Sequence, residues 1–175
     1  MIREPFKPVP AEERKEASIT AFRAFYWIHS WAVYHASLLD PDGVDAEYPA
    51  DLDDAALGAA AREALLASRF IAPDHPDWDR VGAYYTREMD RQLSERFKAR
   101  AGVRSETALY KGAGNVNLTL RDGIIIIEAD RYEGRGGFGG IKGAQPTELH
   151  ETVSDAELGA AIRAAIAVSR AAGKR

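Results

Sequence analysis

Asn117-Leu118-Thr119-Leu120-Arg121-Asp122-Gly123-Ile124-Ile125-Ile126-Ile127-Glu128 decides the fold class. Two β-favouring runs flank Asp122-Gly123. Both central positions of a two-residue hairpin turn need positive φ, and Asp-Gly supplies it at low cost. An antiparallel hairpin is therefore expected. Four consecutive isoleucines predict a central strand covered on both faces. Tyr110 is placed at the start of this ladder or in an earlier strand. Beyond the hairpin, Gly134 to Gly140 reads as a flexible connection, and Glu148 to Val153 as a short last strand.

Helices flank the hairpin. Ser154-Asp155-Ala156-Glu157 is a capping box, which starts a helix from Asp155 to about Arg170. A second helix is expected from Asp54 to Ser68, capped by Asp51 or Asp53, with Leu57, Ala61, Ala64, Leu65 and Ser68 inward. A third runs from about Trp78 to Ala99 on Val81, Tyr84, Tyr85, Met89, Leu93 and Phe97, with Gly102 as its stop. Residues 57–69 and 158–170 agree at eight of thirteen positions without a gap. Their surroundings differ, so the reading is two similar helices on one sheet and not a tandem duplication. The aromatic run from Phe22 to His35 predicts a strand pair, with a helix as the alternative. Residues 1–18, with Pro5, Pro8 and Pro10, read as an extended lead-in, with one turn of helix at Glu12 to Glu16. The expected fold is α+β: one domain over residues 1–175, a mostly antiparallel sheet packed with about three main helices.

The chain has 175 residues, 46% hydrophobic and 29% charged, a globular composition. The absence of cysteine excludes disulfides, thiolate metal sites and a cysteine nucleophile. A net charge of −4 argues against general nucleic-acid binding. No apolar run is long enough for a signal peptide core or a membrane span, so a cytoplasmic protein is expected.

Each candidate site has a plainer competitor. Gly134-x-Gly136-x-x-Gly139 formally matches a dinucleotide fingerprint, but Lys142-Gly143-Ala144-Gln145-Pro146 cannot open the helix that the chemistry needs. His29, His35, His75 and His150 form no metal-ligand spacing, and no metal or cofactor is expected. His29 and His35 would share a strand face, which supports the alternative of a small RNA-processing or phosphodiester-cleaving enzyme. Arg91–Glu95 is an attractive pair on the third helix. Residues 40–54 carry Asp40, Asp42, Asp45, Glu47, Asp51, Asp53 and Asp54 with no Lys or Arg. They read as a solvated acidic loop, or as a face for a basic partner.

The order of elements resembles the immunity proteins of bacterial contact-dependent growth inhibition systems, the CdiI group. The resemblance rests on Leu57-Gly58-x-Ala60-x-x-Glu63-Ala64-Leu65-x-x-Ser68-Arg69-Phe70, on Ala108-Leu109-Tyr110-Lys111, on the Asp122-Gly123 hairpin and on Leu158-Gly159-x-Ala161-Ile162-Arg163-x-Ala165. It implies a non-enzymatic inhibitor, monomeric before binding. Its partner would be the C-terminal toxin domain of a large exported protein, often a nuclease, encoded directly upstream. Residues 131–139 depart from the family's pattern, as a partner-specific loop would. From charge, the expected contacts are Asp42, Asp45, Glu47, Asp51 and Asp53, with Arg135 and Phe138 of the glycine loop second.

Overall fold

Asp122 and Gly123 take φ of 51° and 76°, so the Asp-Gly pair turns the chain as its chemistry requires. The computed structural model describes residues 11–173. In chain order the elements are β1 (Lys15–Ala21), β2 (Phe25–Val33), β3 (Ser37–Leu39), β4 (Asp45–Pro49), α1 (Asp54–Ala67), β5 (Arg69–Phe70), α2 (Trp78–Tyr84), α3 (Arg87–Ala101), α4 (Glu106–Tyr110), β6 (Gly114–Arg121), β7 (Ile124–Gly134), β8 (Gly137–Gly140), β9 (Thr147–His150) and α5 (Asp155–Ala172). The strands form one curled, mostly antiparallel sheet in the order β3-β2-β1-β6-β7-β8, with β4 and β5 also on β2 and β9 also on β7. The fold is α+β.

The helices α1 and α5 cover one face of this sheet. Ile19, Ile28, Leu57, Leu65, Leu118, Ile125, Ile127, Leu158 and Ile162 meet there, none more than 2% exposed. Each such side chain contributes about 1.5–3 kcal/mol by leaving water. Asp53 caps α1 through Ala56 N, and the Ser154–Glu157 capping box opens α5 as expected. A smaller cluster of Phe22, Phe25, Phe97, Leu109 and Ala113 lies under α3 and α4 on the opposite face.

Several expectations change. The aromatic run is one strand, β2, whose partner is β1 and not a second half of the run. Lys15 already belongs to β1, so no helical turn forms at 12–16 and the lead-in ends before Ser18; residues 1–10 lie outside the described part. The third helix is two, because Tyr85 is extended and Thr86 caps a new start by accepting from Met89 N. Gly102 ends α3 in the left-handed region, as predicted. Tyr110 closes α4 and begins no strand. The glycine run forms β8, paired back on β7. The four isoleucines alternate, Ile125 and Ile127 buried against the helices and Ile124 and Ile126 half-buried on the outer face. The strand is thus covered on one face only.

The largest correction concerns the repeat. The register pairs of the first half recur in the second, shifted by 99 residues in the hairpin strands and 101 in the edge strands and helices. Trp27↔Glu47 of β2–β4 becomes Ile126↔Glu148 of β7–β9, and Trp31↔Leu39 of β2–β3 becomes Asp130↔Gly140 of β7–β8. The β1–β6 ladder is symmetric about Ser18↔Asn117. The chain is a duplicated four-strand-plus-helix unit around a local two-fold axis, with residues 70–113 inserted between the copies. The helix echo is its axis contact. Arg62 Nε binds Asp155 at 2.6 Å, while Arg163 Nε binds Asp54 at 2.7 Å. A Cβ on Gly58 would lie 1.8 Å from the Asp155 carbonyl oxygen, and one on Gly159 would lie 1.8 Å from that of Asp54. Ser68 accepts from Glu16 N and donates to the Trp31 carbonyl; Ser169 does the same with Asn115 N and the Asp130 carbonyl. Each serine stitches its helix end across its own hairpin. Sequence identity is densest in the two helices, where close backbone approach demands Gly and the symmetric ion pairs demand Arg.

Candidate functional site

The acidic stretch is neither a loop throughout nor unpaired. Asp45–Pro49 forms β4 along the edge of β2. Buried Asp40 receives Arg69 Nη2 at 2.5 Å, and Arg69 also reaches Asp42 at 3.0 Å and Asp77 at 2.7 Å. Arg80 bonds Asp42 and Asp77. Hydrogen bonds from Arg80 and Arg69 hold the Asp42 and Asp77 carboxyls below the usual carboxylate range. On β4, Arg96 binds Asp45 at 2.7 Å and Glu47 at 2.8 Å, with Arg100 3.6 Å from Glu47. Burial opposes ionisation of Asp45, but bonds from Arg96 and Trp27 outweigh it and leave its carboxyl low. Asp53 is spent on the α1 cap, and Asp51 is exposed. The counter-charges are hidden in the sequence because they come from β5, α2 and α3, up to 53 residues away.

The second feature is a cleft of about 470 Å³ on the sheet face away from α1 and α5. Its floor is Ser18, Thr20, Asn115 and Asn117 at the local axis; its walls are Trp27, His29, Trp31, Tyr85, Tyr110 and Phe138. Ser18 donates to Asn117 Oδ1 at 2.6 Å and accepts from Trp31 Nε1 at 2.7 Å. Asn117 Nδ2 donates to Asp130 at 2.7 Å. Burial raises the Asp130 carboxyl against that bond. Asn117 and Asp130 carry no functional signal in the sequence, since polar residues alternating along a strand have no signature of a cleft.

His29 lies in this wall, 2% exposed, stacked on Trp27 at 4.0 Å and edge-on to Trp31 at 4.5 Å. Neither ring nitrogen has a hydrogen-bond partner among the described residues. Burial pushes its pKa down to about 3, against the opposing pull of Asp45, so the ring is neutral at pH 7. His35 sits beyond the end of β2, exposed, against Tyr34. The expected shared strand face of the two histidines does not form. No cluster that could hold a metal ion occurs among the described residues.

The glycine hairpin closes the far rim. Tyr132 stacks on Tyr110 at 5.3 Å, and Phe138 packs on both rings. Arg135 stands at the turn with φ of 53°, exposed and in no ion pair among the described residues. On α3, Arg91 pairs with Glu88 at 2.7 Å, in place of the expected Glu95. The structure thus separates the expected contacts into the arginine-tied acids of β4 and its approach, and the hairpin pair Arg135 and Phe138 at the cleft.

Residues 15–169 match the family described as CDI immunity protein. The chain is 28% identical over 170 residues to immunity protein CdiI-YPIII of Yersinia pseudotuberculosis serotype O:3 (strain YPIII), covering 90% of this chain and 95% of that one. It also resembles a chain of a CdiA-CT/CdiI toxin and immunity complex from Yersinia pseudotuberculosis, with a TM-score of 0.75 and 27% identity over 91% of this chain and 98% of that one. A Neisseria meningitidis protein of unknown function shares the fold, with a TM-score of 0.74 and 23% identity over 93% and 99% of the two chains.

Proposed function

The chain belongs to the CDI immunity protein family, and from that premise we propose that it binds the C-terminal domain of a cognate toxin and holds it inactive by occlusion. The observation that carries this reading is the likeness, over nearly the whole of both chains, to a protein of a toxin and immunity complex. The inhibitor performs no reaction of its own, acts in the cytoplasm, and meets a toxin of nuclease type. A sealed, neutral His29 whose ring nitrogens have no hydrogen-bond partner among the described residues supports the non-enzymatic part. No helix is long and apolar enough to cross a membrane among the described residues.

Among the contacts expected from the sequence, Arg135 and Phe138 fit a partner face better than Asp42, Asp45 and Glu47. The former are engaged by no internal ion pair among the described residues; the latter must first give up arginines. Asp51 and Asp53 stay in the proposal as an exposed acidic edge beside α1.

The test is rescue. The C-terminal domain encoded directly upstream is expressed under tight control, with and without this protein, and survivors are counted. Survival only in its presence is expected. Death in both cultures, with the inhibitor soluble and abundant, overturns the pairing.

A further inference from the structure

We propose that the cleft over β1 and β6 is a binding site for a small organic cation, a free alkylguanidinium, held by Asp130 and Asn115 between aromatic walls. The site goes beyond the immunity reading and does not depend on it. Three properties of the cleft point to this ligand: its aromatic walls, its lack of cations and the acceptors left open on its floor.

The walls and the charge come first. At about 470 Å³ the cleft has the size of a small-molecule site. Trp27, His29 and Trp31 alternate along β2 and therefore share one wall. Across the floor stand Tyr110 and Phe138, their ring centroids 6.0 Å apart. Aromatic faces are electron-rich and attract a cation. No Lys or Arg lines the cleft among the described residues, and Arg135 at the hairpin turn is outside the lining. His29 is neutral at pH 7 and adds no opposing charge. A phosphate or carboxylate would find no counter-charge here, whereas a cation finds Asp130.

The floor then selects a hydrogen-bond donor. Its own donors are engaged: Ser18 Oγ on Asn117, Trp31 Nε1 on Ser18, Asn117 Nδ2 on Asp130, and Asn115 Nδ2 on Thr20 Oγ1 at 3.1 Å. On the walls, Trp27 Nε1 is held by Asp45 at 2.7 Å, and the Tyr85 hydroxyl by Asp90 at 2.5 Å. Asp130 Oδ1 and Asn115 Oδ1 accept no bond among the described residues, and neither is sealed from solvent. Asp130 also joins no ion pair there, and burial holds its carboxyl above the usual carboxylate range. Asn115 and Asp130 are opposite one another in the β6–β7 register, so their Cβ atoms lie about 5 Å apart. Two neighbouring acceptors, one of them charged, match the planar fork of a guanidinium, which also stacks on aromatic rings. A quaternary ammonium offers no donor, and an alkylammonium has no plane to stack.

The experiment titrates agmatine, a free alkylguanidinium without a carboxylate, into the intact protein by calorimetry at pH 7 and low salt. A Kd of about 1 mM or tighter is expected for a ligand of this size. Tetramethylammonium should bind about tenfold more weakly, because it has no donor for the floor. Asp130→Asn keeps the shape and removes the charge, and should weaken agmatine about tenfold or more. An unchanged melting temperature checks that this variant keeps the fold. As a readout free of mutation, the Asn115 side-chain amide and Trp31 indole N–H resonances should shift with agmatine. The site is overturned by unmoved resonances and no heat at about 10 mM agmatine. It is equally overturned by Asp130→Asn binding within about threefold of the wild type, or by tetramethylammonium binding as tightly as agmatine. Binding of acetyl-arginine amide with none of agmatine would assign the cleft to an arginine of a polypeptide and overturn the free ligand.

Discussion

The halves at residues 15–68 and 114–169 share a strand order, a register and a helix contact, yet their outer faces differ. On the helical side they are nearly interchangeable: Gly58 mirrors Gly159, Arg62 mirrors Arg163, and Ser68 mirrors Ser169. On the outer side, the first half is aromatic and buried beneath α3, while the second carries Ile124, Ile126 and two exposed glutamates. The inserted residues 70–113 account for the difference. An insertion that roofs one half lets that half hold Phe25, Trp27 and a neutral His29, and leaves the outer face of the other half uncovered. Symmetry supplies the scaffold, and its breaking makes the two outer faces different.

The strongest way to break the symmetric side is to add a methyl group at the axis. Gly58→Ala and Gly159→Ala should each cost about 3 kcal/mol of unfolding free energy, because a backbone carbonyl stands where the Cβ would go and neither helix can yield alone. Denaturant unfolding of both variants checks this. Costs differing by more than about 1.5 kcal/mol would show that the two glycines are not equivalent.

The outer side is sharpened by pH. His29 is neutral in the fold, with its pKa lowered from 6.5 to about 3. Below pH 6.5 the unfolded chain binds a proton that the folded chain does not, so stability falls as the pH drops from 6.5 towards 3. Between pH 7 and 5 the loss due to His29 is about 2 kcal/mol. His29→Phe should remove that part of the slope in urea titrations at the two pH values.

The smallest expected effect tests the paired arginines. Arg62 also donates to the Glu151 and Val153 carbonyls, and Arg163 to the Leu52 carbonyl and Tyr26 hydroxyl. Arg62→Ala and Arg163→Ala should each lower stability by about 1.5 kcal/mol, equally within error, as thermal or chemical unfolding would record.

Much of the fold was legible in the sequence because its signals are local. Asp122-Gly123 requires a hairpin by backbone sterics, Ser154–Glu157 starts α5 by hydrogen bonding, and Gly102 stops α3 by its left-handed φ. The resemblance to the immunity proteins was legible for the same reason, since the helix-contact residues are held by packing. Less legible were the strand assignment of Lys15 to Ser18 and the split of the third helix, where tertiary pairing overrode local composition. The candidate site was hardest to read. Seven acids without a neighbouring cation look like an open charged face, until Arg69, Arg80, Arg96 and Arg100 arrive from other elements.

The sequence by itself determined the class of fold, the capped helices, the hairpin and the family, because turns, caps and amphipathic spacing act over a few residues. Only the tertiary structure decided that the chain is a duplicated unit, that Asp40, Asp42, Asp45 and Glu47 are paired from within, and which sheet face is roofed. Those outcomes depend on contacts between residues about fifty to a hundred apart, and a charge or an isoleucine carries no mark of the partner that folding will bring to it.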